Sequence, residues 1–306
     1  FVSYDEFGIL SRDVSFGYAE ALDAGISRPL FFPAFEGRMK WYTRGQERIA
    51  TFADSIAKEE DGKRLRTALM ADGDWMRRVL IEADRKLTLI RESHADAGGL
   101  ILAMDQRHAQ DIADALRKLT NRTAVVVTSD NADASALIDR FRDSDERWII
   151  AVRMVSEGVD IKRLRVGVYA TNYVTEMFFT QAVNRLSRTI PGLDYQAAFW
   201  FIPDDPRIVE LAKTVISIRQ FQIAAEADRS LRDPGPEVSD DRVASPFLPI
   251  SSTGESNGVI HAGDRYEEAE REHARKLLAK AGAPAFHDPD MIVKVLRAYR
   301  EECGEF

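Results

Sequence analysis

The residues best suited to chemistry lie in the run Gln181-Ala182-Val183-Asn184-Arg185-Leu186-Ser187-Arg188. On a helix, positions 181, 185 and 188 share one face, so an amide and two guanidinium groups would project together. Two permanently charged planar forks three residues apart suit the stabilisation of a transferring γ-phosphoryl group. A solvated charged face is the alternative. A second run, Glu157-Gly158-Val159-Asp160, pairs a glycine that lets the backbone approach a ligand closely with carboxylates that can orient an arginine or accept a ribose hydroxyl or water. Here the alternative is a polar turn between a strand and a helix.

These residues need a scaffold, and the rhythm of the chain from Gly98 supplies one. Short apolar runs, Leu100 to Ala103, Ala124 to Val127, Trp148 to Val152, Val166 to Ala170 and Ala197 to Ile202, alternate with helical segments. That is the pattern of βαβ units around a buried, mostly parallel sheet. The helix after the first run is the clearest, with Ala109, Ile112, Ala113, Leu116 and Leu119 on one face. A closing helix is expected from Pro206 to about Arg229. In such a sheet ligands gather where strands end. Four loops follow strand ends: Met104 to His108, Thr128 to Asn131, Arg153 to Asp160, and Thr171 to Tyr173.

Upstream, the sequence predicts a short helix around Tyr18 to Leu22, a hairpin after Arg28-Pro29-Leu30-Phe31-Phe32, and amphipathic helices through Leu65, Leu69, Met76, Leu80, Ala83 and Leu87. Downstream, prolines and glycines between Asp233 and Asp264 predict a linker. Helices are expected at 264–281 and 289–301.

Composition narrows the function. With 306 residues, 45% of them hydrophobic, the chain can bury a substantial core. No apolar run approaches the roughly 18 residues of a membrane span, and a cytoplasmic location is expected. A net charge of −8 argues against a generic basic nucleic-acid coat while leaving local phosphate contacts open. Cys303 is the only cysteine and the five histidines have no zinc-ligand spacing, so no metal site is expected. No G-x-G-x-x-G follows the first strand, which removes the main support for a dinucleotide-binding enzyme. The chain opens on Phe1 and reaches its first methionine at Met39, from which a longer parent protein is expected.

Three segments resemble, in order, the motifs of the second lobe of superfamily-two helicases. Gly98 to Leu116, with its Asp105-Gln106-Arg107-His108 turn, is similar to motif IV; Ala151 to Asp160 with Arg163 to Thr171 is similar to motif V; Gln181 to Arg188 is similar to motif VI, Q-x-x-G-R-x-x-R, with Asn184 at the glycine. Tyr18 to Leu22 with Arg28-Pro29-Leu30 resembles the connector from the first lobe in DEAD/DEAH-box helicases related to type III restriction-like subunits of bacteria and phages. The resemblance covers residues 1 to about 230.

It implies a RecA-like C-terminal lobe at 96–231, a mostly parallel α/β sheet flanked by helices, preceded by a helical connector at 1–95. A linker at 232–264 and a helical tail at 265–306 would follow. It also implies that ATP and Mg²⁺ are held mainly by a first lobe, since no G-x-x-x-x-G-K-[ST] occurs here. Arg185 and Arg188 would be arginine fingers, Gln181 would help orient the γ-phosphate region, and Glu157, Gly158 and Asp160 would bind ATP, with Gly158 to Asp160 coupling that site to nucleic acid. The nucleic acid, expected to be DNA, would be held through phosphates by Gln106, Arg107, His108, Thr128, Ser129, Arg153 and Ser156. Two other readings stay open: a double-stranded DNA translocase of a restriction or defence system that does not unwind, and a degenerate docking module.

This chain alone is expected to show no nucleic-acid-stimulated ATPase, because half of the catalytic apparatus would be elsewhere. Phosphate release by the wild-type chain well above that of Arg185→Ala would overturn the expectation.

Overall fold

A computed structural model describes residues 3–4, 10–11, 27–128, 133–152, 161–193, 196–217, 247–261 and 264–266, together with positions 272, 274 and 276. Two short strands, β1 (Ser3–Tyr4) and β2 (Leu10–Ser11), pair with each other. The strands and helices that matter for function begin at β3 (Leu30–Glu36), followed by the hairpin β4 (Arg38–Thr43) and β5 (Gln46–Thr51). Arg44 and Gly45, both at positive φ, make the two-residue turn whose twist suits a hairpin.

Two helices, α1 (Lys58–Ala68) and α2 (Asp74–Arg91), lead into β6 (Gly98–Ala103) and α3 (Gln106–Thr120). Then come β7 (Ala124–Val127), α4 (Ala134–Arg142), β8 (Trp148–Val152), β9 (Leu164–Ala170), α5 (Glu176–Asn184), β10 (Ala198–Pro203) and α6 (Pro206–Ser217). The last strands are β11 (Phe247–Ser252), β12 (Glu255–His261) and β13 (Asp264–Tyr266).

One eight-stranded sheet in the order β13-β12-β3-β10-β9-β6-β8-β7 carries the architecture. Its members from β3 to β7 are mutually parallel, and β12 lies antiparallel against β3. This is the expected class, a mixed α/β fold with a mostly parallel sheet flanked by helices. Each of the five expected apolar runs is a strand. They are unbroken because both sheet faces are covered, which removes the alternation a half-exposed strand would show.

Side chains alternate between the two faces. Phe199 stacks on Phe31 at 5.2 Å and lies under the ammonium of Lys86 on α2, while Phe35 meets Trp75 of α2 edge-on. On the other face Tyr169 and Phe32 pack against Phe179 of α5. Trp200 lies on this face too, its indole N–H donating to the Val183 carbonyl. It fits because its neighbour in register is Gly167, where an added Cβ would come within 2.4 Å of the ring.

Three parts of the chain differ from expectation. Leu30–Glu36, within the segment expected as a connector, is a fully paired sheet member between β10 and β12. Its phenylalanines Phe31, Phe32 and Phe35 were visible in the sequence, but a parallel strand far from its partners in sequence has no local signature. In the expected linker, Phe247–Ser252 and Glu255–His261 are strands, the first beside β4 and the second beside β3. Their backbone groups are satisfied by pairing, so few apolar side chains are needed; the prolines and glycines disguised them. Asp264–Tyr266 continues as a strand where a helix was expected, and helix is present at 272, 274 and 276. The predicted helices at 18–22 and 289–301, and the closing helix beyond Ser217, lie outside the described residues.

His108 locks the start of α3 to the preceding helices. Its Nδ1 accepts the Met104 N–H at 3.2 Å, so Nε2 carries the proton and donates to the Leu69 carbonyl at 2.6 Å. The Asp105 side chain caps the same helix by accepting the His108 N–H at 2.8 Å. Burial holds the imidazole pKa below its ordinary 6.5, against the opposing pull of the Leu69 hydrogen bond, Asp105 and Asp111.

Two expectations follow from these contacts. Gly167→Ala should cost about 1–3 kcal/mol, because the Trp200 ring is held between layers and overpacking is relieved only by backbone shifts; an unchanged urea midpoint would show that the ring can move aside. For His108, a folded pKa below the unfolded one means that its contribution is complete above about pH 6.5 and is lost as pH falls through the lowered value. Urea stability measured from pH 8 to 5 should therefore fall less steeply in His108→Gln than in wild type. Equal slopes would remove His108 from the acid sensitivity.

Candidate functional site

A parallel sheet has two unlike edges, and the expected site residues divide between them. At the edge where strands end, β6 leads to Asp105, Gln106 and Arg107, all exposed around the first turn of α3. Helix N-terminal N–H groups favour an anion, and Arg107 adds a charge beside them. His108, although expected among the nucleic-acid contacts, has both ring nitrogens engaged within the fold and is 7% exposed. These bonds anchor the first turn of α3, which carries Gln106 and Arg107. Thr128 follows β7 and is half-buried at the same edge. Ser129, Arg153, Ser156, Glu157, Gly158 and Asp160 lie outside the described residues.

Residues without an expected role also gather at this edge. The chain leaves β6 towards β7 and leaves β9 towards β10, so the ends of β6 and β9 flank a topological switch point. There Thr171 is wholly buried and its Oγ1 has no hydrogen-bond partner among the described residues, with buried Asn172 next to it. The loop was legible as a strand end, but an orphaned hydroxyl becomes visible only in three dimensions.

Further along, Glu36 ends β3 opposite Glu255, and Asp204 extends β10 with its N–H donating to the Phe35 carbonyl. Burial pushes the Glu36 carboxyl above its usual range and Asp204 adds to this, against stabilising N–H groups of Phe52, Gly37 and Ala53. Asn257 donates to Asp204, and Asp205, fully buried, is gripped by Arg207 through contacts of 2.9 and 2.7 Å. The Asp204-Asp205 pair was not singled out in the sequence. The strand-end edge is thus polar beside β6, where Arg107 is exposed, and acidic beside β3 and β10.

The arginine run lies at the opposite edge. After β9 the chain turns and α5 travels back along the sheet, so its last residues reach the side where strands begin. Gln181 is on α5 and half-buried, as is Arg185 at its C-cap. The helix stops at Asn184, whereas a continuous helix through Arg188 was expected. Leu186 and Ser187 close tighter turns by donating to the Val183 and Asn184 carbonyls, and Arg188 forms an antiparallel bridge with Ser27 just ahead of β3. Arg188 is exposed but extended, no longer in helical register with Gln181 and Arg185.

Buried cations surround that edge. The Arg28 guanidinium donates to the carbonyls of Leu164 at 3.2 Å and Lys162 at 2.8 Å, and to that of Arg188. Burial lowers its pKa to about 9, with a smaller push from Arg165, whose own burial brings it to about 10. Arg165 donates to the Ala197 carbonyl at 2.9 Å and to His94 Nδ1 at 3.3 Å, while His94 Nε2 faces Asp96 at 3.0 Å. Burial lowers the His94 pKa more than Asp96 raises it. Val152 ends β8 at one edge and Ile161 leads towards β9 at the other, so the segment carrying Glu157, Gly158 and Asp160 joins the two edges. Among the described residues no group of three or more His, Cys, Asp or Glu is placed to hold a metal ion, and no helix is long and apolar enough to cross a membrane.

No protein-family model matches the chain. An uncharacterised protein of Mycobacterium tuberculosis is 35% identical over 315 residues, covering 99% of this chain and 52% of the relative. An uncharacterised protein of Mycobacterium leprae is 33% identical with the same coverage. The chain therefore spans about half the length of the curated relatives it matches. Among solved structures, it is similar to a fragment of a putative HsdR subunit of a type I restriction enzyme from Vibrio vulnificus, with a TM-score of 0.46 and 15% identity over 67% of this chain and 37% of that one. It is also similar to domain 2 of the DEAD-box helicase Mss116p bound to an RNA duplex, with a TM-score of 0.35 and 13% identity over 44% of this chain and 53% of that one. The helicase domain of Hef from Pyrococcus furiosus gives a TM-score of 0.31 and 16% identity over 42% of this chain and 27% of that one.

Proposed function

We propose that this chain is the second, RecA-like lobe of a superfamily-two ATP-dependent helicase or translocase, acting with a first lobe that supplies the P-loop and Mg²⁺. The observation that carries the proposal is the separation of two polar surfaces by the length of the sheet. Arg185 and Arg188 stand at the edge where strands begin, and Gln106, Arg107 and Thr128 at the edge where they end. A motor needs this separation, because nucleotide and nucleic acid must bind at once and exert force on each other through a stiff body.

Arg185 and Arg188 face the γ-phosphate when the lobes close, and Gln181 orients that region. Their fixed charges stabilise the equatorial oxygens as negative charge redistributes, which lowers the barrier more than it strengthens ground-state binding. Loss of the γ-phosphate removes the partner for these arginines, and the lobes separate because ADP favours the closed state less. At the other edge Gln106, Arg107 and Thr128, joined by Ser129, Arg153 and Ser156, hold a nucleic-acid backbone through phosphates. The acidic end beside β3 and β10 repels phosphate and confines the strand to the β6, β7 and β8 side. The segment with Glu157, Gly158 and Asp160 couples the two edges.

In the protein with both lobes, Arg185→Ala and Arg188→Ala should each lower steady-state ATPase by about 10³-fold or more while nucleotide affinity changes far less. Arg185→Lys should fail substantially as well, since an ammonium lacks the planar fork. Turnover with saturating DNA, nucleotide affinity and melting temperature are measured together. Near-normal turnover in all three variants would return the pair to an ordinary solvated surface.

A further inference from the structure

We infer that Arg28 is a positioning residue for the arginine segment, the tie that fixes Arg185 and Arg188 relative to the body of the lobe. This rests on the assignment of that pair to nucleotide. The tie matters because α5 ends at Asn184 and Arg188 has left helical geometry to bridge Ser27.

Residues 27 to 29 supply the hold from the adjacent strand entry. Ser27 bridges Arg188, the Arg28 N–H donates to the Ser187 carbonyl at 2.7 Å, and the Pro29 carbonyl accepts the Ala198 N–H at 2.9 Å. The Arg28 side chain, 1% exposed, then gathers the carbonyls of Arg188, Lys162 and Leu164 into one guanidinium. Three carbonyls from two separate pieces of chain thus depend on one planar group with directed donors. Lysine keeps the charge but cannot span them in that plane. Lys162 lies two residues beyond Asp160, so the same guanidinium also holds the exit of the segment that joins the two edges.

Arg163 shows what a purely structural buried arginine does in this fold. Its guanidinium donates to the carbonyls of Asp96, Phe141, Arg142 and Glu146 and stacks on Phe141, all around the end of α4. Among the described residues it makes no hydrogen bond to the arginine segment, and it serves as the control.

Hydrogen exchange on the 306-residue chain, resolved by peptide, compares wild type with Arg28→Lys and Arg163→Lys. In Arg28→Lys, exchange across 185–190 should rise by about 10-fold or more, the scale of one lost charge-assisted hydrogen bond, while β6 and β8 keep their protection. Arg163→Lys should loosen 141–147 and leave 185–190 unchanged. In the protein with both lobes, Arg28→Lys should lower kcat by about 10²-fold, as expected when a reacting group is displaced by about 1 Å, with nucleotide affinity changed by less than about 3-fold. Unchanged exchange at 185–190 in a folded Arg28→Lys chain overturns the tie. Loosening spread evenly over the whole sheet also overturns it, since that reports general fold support. Local loosening with undiminished kcat overturns the positioning role. A wild-type two-lobe protein without ATPase overturns the motor reading itself, and the exchange result then still decides whether Arg28 holds the segment.

Discussion

Strands that run the same way oblige the chain to cross the whole sheet between each pair, and almost everything about this fold depends on that constraint. Whatever follows a strand is placed at one edge, and whatever follows a returning helix is placed at the other. The polar loops after β6 and β7 and the arginines after α5 are therefore kept apart by the sheet itself. The packing that makes the sheet stiff is equally constrained. Phe31, Phe35 and Phe199 fill one face, Phe32, Tyr169 and Trp200 the other, and Gly167 gives the last ring its room. A displacement imposed at one edge of such a body cannot be absorbed by soft packing in the middle.

The two edges differ in electrostatic construction. Where strands begin, Arg28, Arg163 and Arg165 are buried and depend on backbone carbonyls for hydrogen bonds. Desolvation penalises these charges, as the lowered pKa values of Arg28 and Arg165 record, and removal of a guanidinium would leave several buried carbonyls unsatisfied. The buried guanidiniums give this edge a permanent positive charge. Where strands end, carboxylates crowd around Glu36 and Asp204 while Gln106 and Arg107 stand clear of them. A net charge of −8 thus conceals two regions with local character of their own.

Much of this was legible before any coordinates. The five apolar runs from Leu100 to Ile202 became strands because a doubly covered parallel strand writes itself as an unbroken apolar run, and α3 showed its buried face residue by residue. What escaped was non-local. Leu30–Glu36 is a sheet member only through β10 and β12, both far along the chain, and β11 and β12 are held by pairing that their prolines and glycines hid. At the site, the spacing of Gln181, Arg185 and Arg188 was correct for a helix, but the bridge to Ser27 competes with the last turn and wins. His108 stood where a ligand contact was plausible, and its two backbone partners could not be read from spacing. Arg28 was noticed only as part of a connector; its role depends on carbonyls more than 130 positions away.

The central claim is that nucleotide and nucleic acid occupy opposite edges of one sheet. Dual photo-crosslinking in the protein with both lobes tests it most directly, using an ATP analogue with a photoreactive γ-phosphate substituent together with an iodinated oligonucleotide, and mapping both adducts by mass spectrometry. The account predicts nucleotide adducts within 181–188 and oligonucleotide adducts within 105–107 or beside Thr128. Adducts of both probes at one edge, or nucleotide adducts confined to the loop after β6, would contradict it.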